Sequence, residues 1–161
     1  MDQTADFWIK KLGLEKHPEG GWYKEIYRSA DMVMTAFGER NTCTSIYYLP
    51  EGDDFSAFHR IRSDEIWHYY TGNSAIDILW IKNRELQRTT LGNKADKGEH
   101  FQVAVPKNRW FATRLTQPDG FVLAGCTVAP GFHFDDFELA TRELLKAFPE
   151  LSAELKPLIR G

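Results

Sequence analysis

The chain has 161 residues, 42% of them hydrophobic and 27% charged, and its 20 Lys plus Arg against 23 Asp plus Glu leave a net charge of -3. A chain of this length buries roughly 70% of the surface its unfolded form exposes, so a core needs neither metal nor disulfides, and any metal would serve function. The even charge balance, with no Lys/Arg-rich run, argues against nucleic acid as a partner, and the lack of 18 consecutive apolar residues argues against a membrane span.

In chain order, the first six residues lack a basic stretch followed by an apolar one, so a cytoplasmic location is expected. Cys43 and Cys126 are too few for a disulfide framework and read as reduced thiols. Thr4 can cap a short helix carrying Phe7, Trp8 and Leu12 on one face, and Gly13 can end it in the left-handed conformation. From residue 24 to 129, short runs rich in β-branched and aromatic residues alternate with turn dipeptides such as Gly52-Asp53, Gly72-Asn73 and Lys82-Asn83. Strands are expected over 24–28, 32–37, 42–49, 57–61, 65–70, 75–81, 85–91, 101–105, 110–115 and 121–128, an all-β core of the sandwich or barrel kind. After Pro130-Gly131, helix is expected again over about 136–159, with Leu139, Leu144, Leu145 and Phe148 as its apolar stripe and Pro149 as a stop. The reading is one domain over 1–161.

The segment from Gly52 to Gly72 carries most of the chemistry. It resembles the first cupin motif, a Gly, then HxH, then Glu, then a closing Gly: His59 takes the first His, Glu65 the Glu and Gly72 the last Gly, while Ile61 stands at the second His. The second cupin motif falls on residues 106–111, where Asn108 stands for a Gly and Phe111 for the final His. Further blocks, His17-Pro18-Glu19-Gly20-Gly21, Tyr27-Arg28-Ser29, Thr44 to Leu49, and Cys126 to Phe132 running into Asp136-Phe137-Glu138, are similar to the cupin group called Cupin 5 or DUF985, whose best description is a set of predicted sugar epimerases. The resemblance implies a double-stranded β-helix, or cupin jelly roll, commonly assembled as a homodimer.

Two of the four usual cupin ligands are therefore replaced. A catalytic Zn²⁺ or Fe²⁺ site needs about three protein ligands, and residues three apart on a strand face opposite ways, so His68 does not join Glu65. No metal and no other cofactor is expected. Glu65, Trp67 and Tyr69 share one strand face instead. His59 with Glu65 makes a candidate proton-transfer dyad, in which the carboxylate raises the imidazole toward pH 7. The metal-free sugar epimerases that the chain resembles at fold level pair a His base with a Tyr acid, which makes Tyr48 and Tyr69 the catalytic phenol candidates. Arg28 or Arg60 would steady an enolate, and Trp67 and Trp110 would line a pocket for a sugar-like ligand. Arg60, Arg62, Lys107 and Arg109 form a candidate basic rim.

The expected function is binding of a small polar metabolite in the barrel, with metal-independent epimerisation or isomerisation as its chemistry. Two alternatives stay open: a non-catalytic binding module, and a metal-dependent cupin enzyme.

Overall fold

The computed structural model describes residues 3–161, so Met1 and Asp2 of the amino-terminal reading lie outside it. Helix α1 (Ala5–Leu12) starts where Thr4 accepts a hydrogen bond from the Phe7 N–H and stops at Gly13, whose φ of 64° places it in the left-handed region. The strands that follow are β1 (Glu15–Lys16), β2 (Trp22–Arg28), β3 (Met32–Thr35), β4 (Gly38–Asn41), β5 (Thr44–Leu49), β6 (Phe55–Arg60), β7 (Asp64–Gly72), β8 (Ile76–Lys82), β9 (Glu85–Leu91), β10 (Gln102–Val105), β11 (Phe111–Leu115), β12 (Val122–Ala129) and β13 (Glu138–Leu139). All ten expected strands form. The expected 32–37 strand ends earlier, because the chain turns at residues 36–37 and pairs Met32–Thr35 with Gly38–Asn41 as a separate two-stranded ribbon.

Every strand pair is antiparallel. One sheet runs β1-β2-β5-β12-β7-β10 and the other β13-β6-β11-β8-β9, and together they make the expected jelly roll. Alternation decides which side chains go inside. Ile46 and Tyr48 of β5, Cys126 and Ala124 of β12, Trp67 and Tyr69 of β7, Val103 and Val105 of β10, Ile76 and Ile78 of β8, and Phe111 of β11 meet in one cluster between the sheets.

Two satellite clusters close the outer faces. Trp8, Ile9 and Leu12 of α1 pack on Leu49, Phe121 and Leu123, so the amino-terminal helix covers the six-stranded sheet at one end. Phe58, Leu79 and Ala112 of the other sheet lie under Leu144, Leu155 and Leu158. Those leucines belong to α2 (Glu143–Ala147), α3 (Ser152–Leu155) and a closing 3-10 turn. The C-terminal helices form as expected, but the first of them begins at Glu143 rather than at residue 136. Phe134–Asp136 is a 3-10 turn, and Glu138 and Leu139 pair with Arg60 and His59 on the free edge of β6, which is a stronger use of their backbone than a helix start at the surface.

Candidate active site

The barrel has two ends. Strand β6 runs toward one of them, turns through residues 61–63 and returns as β7, so His59 and Glu65 both sit near that turn; residues 106–110, between β10 and β11, close the same end. The bond Asn108 N–H to Ile61 O (2.8 Å) ties the two turns together. Asn108 has φ 62°, so the position where the cupin motif carries Gly does adopt the left-handed backbone, with Asn as the residue that tolerates it.

His59 owes its orientation to an irregularity in β6. Opposite β11 the register slips, with Phe111 facing His59 but Thr113 facing Ser56, so a bulge spans Ala57 and Phe58. A bulge takes a carbonyl out of the ladder and re-aims side chains. Here the Ala57 carbonyl lies 2.7 Å from His59 Nδ1. Since a carbonyl can only accept, Nδ1 carries the proton and Nε2 presents a lone pair. The ring lies against Phe111 (centroids 4.2 Å apart) and stacks on Phe137 (5.2 Å, 24°). Burial among these rings pushes the imidazole down to about 4, with the Ala57 bond opposing the shift and the nearby His17 adding to it.

Glu65 follows the opposite course. Its carboxyl lies on the inner face of β7, where burial pushes it up to about 7, while the Cys126 thiol donates to it and pulls the other way. Burial, and then the Glu65 charge, drives the Cys126 thiol well above its ordinary range, so the thiol keeps its proton. No hydrogen bond joins His59 to Glu65. The shifts run opposite to those of the expected dyad, in which the carboxylate lifts the imidazole toward 7: burial lowers the imidazole and raises the carboxyl, and each has a partner of its own.

The other expected residues divide. Tyr48 is buried and its hydroxyl donates to the Gly20 carbonyl (3.2 Å), with burial raising its pKa. Tyr69 is also inside, but its hydroxyl donates to Gly72 O (3.2 Å) toward the far end of β7. Trp67 stands between them in the core cluster, edge-on to Tyr48 (5.7 Å, 90°), and its indole N–H has no partner. Three residues fall outside the inner cluster. The Arg28 guanidinium is held by both Glu25 oxygens, Asn41 and the Phe132 carbonyl. Arg60 pairs with Glu138 (2.7 Å) and lies over the ring of Trp110 (4.4 Å), which itself packs under the C-terminal helices. Period-2 alternation accounts for this, since Arg60 and Trp110 each neighbour an inward residue. His68 faces the outside and meets the Thr127 hydroxyl (3.1 Å).

Two inner residues had no catalytic or binding role in the sequence reading, although His17 opens one of the family-like blocks and Cys126 read as a reduced thiol. Cys126 registers against Ile46 and Trp67, and the alternation Ala124, Cys126, Val128 was the available signal. His17 packs edge-on to Tyr23 (4.7 Å) and Tyr48 (5.9 Å), and its Nδ1 accepts the Glu19 N–H (2.9 Å). Burial lowers its pKa, and it lies close enough to His59 to add to the lowering of that imidazole. No local pattern around His17-Pro18 foretells that neighbour.

The donor set does not suit the metal of the wider fold family. Ile61 and Phe111 occupy two ligand positions, and among the described residues no three His, Cys, Asp or Glu side chains converge on a point. Near the site, residues 60–62, 107–108 and 135–138 and the ribbon tip at 36–37 enclose a cavity of about 510 Å³. Phe137 lines this cavity and also stacks on His59.

A two-sheet antiparallel barrel with an inward His and Glu at one mouth defines a cupin. The chain belongs to the Cupin_5 family of the cupin superfamily (DUF985), whose model matches residues 6–140. It is similar to the crystal structure of protein SO0799 from Shewanella oneidensis, at 40% identity, covering 99% of both chains with a TM-score of 0.88. A hypothetical protein from Leishmania major superposes with a TM-score of 0.90 at 33% identity, covering 98% of this chain and 99% of that one. An uncharacterized protein of Saccharomyces cerevisiae is 30% identical, covering 91% of this chain and 82% of its own length. No helix among the described residues is long and apolar enough to cross a membrane.

Proposed function

We propose that this cupin binds a small, polar, sugar-like metabolite at the His59 end of the barrel and moves a proton on it without a metal, as an epimerase or isomerase. The supporting observation is the opposed desolvation of two inward groups: a carboxyl raised to about 7 and a neutral imidazole lowered to about 4. A group with a pKa near the working pH is the better proton carrier, because it offers both forms at useful concentration. Glu65 is therefore the acid-base group, and His59, with Nδ1 fixed by Ala57, offers Nε2 to a ligand hydroxyl. The assignment reverses the roles expected from the sequence, where His59 was the base. Tyr48 and Tyr69 already donate to backbone carbonyls, so Glu65 itself returns the proton it takes; that one-base shift through an enediol completes an isomerisation, whereas epimerisation needs the intermediate to turn over before the same carboxyl reprotonates it. Arg28 and Arg60, each engaged with a carboxylate, do not hold the enolate; the Trp67 N–H is a donor of the inner cluster without an acceptor.

Deuterium exchange from solvent into a panel of keto-sugars tests the proposal. Wild type should exchange the carbon-bound proton with an apparent pKa near 7, and Glu65→Gln should lose about 10² to 10⁴ in rate. Equal exchange by both proteins would overturn it, and ligand affinity without any exchange would leave the non-catalytic binding module. The homodimer implied by the family resemblance belongs to the same reading, and light scattering that returned a monomer mass at micromolar concentration would contradict it.

A further inference from the structure

The cavity beside the barrel mouth has a charge pattern of its own. Six ionic side chains line it: Arg60, Arg62, Lys107, Asp135, Asp136 and Glu138. Half are matched. Arg60 pairs with Glu138 (2.7 Å) and Asp136 with Arg40 (2.7 Å), while Asp135 faces only His133 Nδ1 (3.5 Å), the atom that accepts the Asp135 N–H, and so brings one uncompensated carboxylate to the cavity. Among the described residues, Arg62 and Lys107 have no ion-pair partner, and neither side chain makes a hydrogen bond.

Arg62 is nonetheless positioned. Its guanidinium lies over the Phe37 ring (5.6 Å), the ring that Arg40 also approaches (5.4 Å). An aromatic face holds a guanidinium in place without using its N–H donors. The Lys107 backbone is anchored as well, its N–H donating to Asp64 (2.8 Å), which leaves the ammonium at the cavity wall. A preset fork of donors beside a second cation, in a cavity, is the arrangement that receives an oxyanion with several oxygens.

The barrel interior differs. The groups that meet there, His59, Glu65, Cys126, Tyr48 and Trp67, include no Lys or Arg, and burial favours the neutral form of each that titrates. An anionic group placed there would have no counter-charge. We propose that the cavity bounded by Arg62, Lys107 and Asn108 is an oxyanion subsite, and that the ligand is a metabolite with a neutral hydroxylated head and a phosphate. The phosphate stays at the mouth and the head points toward His59, past the Phe137 ring that lines the cavity and stacks on that imidazole. The inference rests on the proposed use of the His59 end.

Calorimetry with inorganic phosphate, D-ribose 5-phosphate and D-ribose tests it on the full chain. Wild type should bind inorganic phosphate, bind the sugar phosphate more tightly than ribose, and lose both gains by about tenfold or more in R62Q/K107Q. Both replaced side chains are exposed, so the variant should keep its melting temperature, which serves as the folding control. Phosphate affinity that is absent in wild type, or equal in the double variant, overturns the subsite. Phosphate binding retained in Glu65→Gln while proton exchange is lost separates the two claims, and exchange retained with no phosphate binding sinks this one alone.

Discussion

The two ends of the barrel differ in a way that volume alone misrepresents. The far end, beyond Gly72 and the turns at 51–54 and 119–121, holds the larger cavity, about 1060 Å³, against about 510 Å³ at the His59 mouth. Three of its polar side chains are held by the fold. Asp54 accepts the Glu51 N–H (3.1 Å), Glu51 accepts the Trp22 indole (3.0 Å), and Asn73 accepts the Phe121 N–H (2.8 Å). At the other mouth, His59 Nε2 and the Glu65 carboxyl have protonation states set by burial, and both face inward. Chemistry follows the desolvated groups, because only there does the fold change what a side chain can do with a proton.

Removing Glu65 should break that contrast most sharply. Glu65→Gln is expected to lower proton exchange by about 10² to 10⁴, whereas the exposed far-end change Asp53→Asn should leave the rate unchanged, as paired kinetics would record. Next in size is the wall of the site. Phe111 is 1% exposed and lies against His59, so Phe111→Ala should cost about 3 to 5 kcal/mol in urea unfolding.

Stability against pH sharpens the comparison. His59 falls to about 4 from 6.5, so the fold favours its neutral form; that contribution is present above pH 6.5 and lost as pH falls toward 4. Glu65 rises to about 7 from 4.5, so its contribution is present below pH 4.5 and lost as pH rises toward 7. Each is worth up to about 3 kcal/mol, and between pH 4.5 and 6.5 the two slopes oppose each other. Glu65→Gln should therefore unmask a stability that climbs with pH over that window, and His59→Gln one that declines. Identical curves for the two variants and wild type, measured by denaturation across the range, would contradict both assignments.

Trp67 gives the smallest effect. Its N–H is already without a partner, so Trp67→Phe should change unfolding stability by no more than about 1 kcal/mol, while Trp67→Ala should cost about 3 to 5. A large loss on Trp67→Phe would reveal an acceptor for the indole.

Much of the barrel was legible along the chain. Thr4 and Gly13 bound α1 because cap chemistry is local, and the strands from β2 to β12 other than β4, which forms only as the partner of a shortened β3, read well because alternation and turn dipeptides are local too. The misses are elements whose reason is tertiary. β1 and β13 are two residues each and exist only as edges for β2 and β6, and the helix expected at 136 lost its first turns to that edge pairing. The site divides likewise. The resemblance to the first cupin motif pointed to His59 and Glu65, and alternation put Glu65, Trp67 and Tyr69 on one face, but the direction of each pKa shift depends on a bulge at residues 57–58 and on which rings close over the imidazole. Arg60 and Trp110 were one residue out of phase with the interior, a distinction that alternation makes only once register is known.

Site-resolved NMR titration of the folded protein bears on the whole account. With ¹³C-labelled Glu and ¹⁵N-labelled His, the Glu65 carboxyl should titrate near 7, and His59 should stay neutral, with its proton on Nδ1, down to about pH 5. A Glu65 midpoint near 4.5 together with a His59 midpoint near 6.5 would contradict it, since both groups would then be in water.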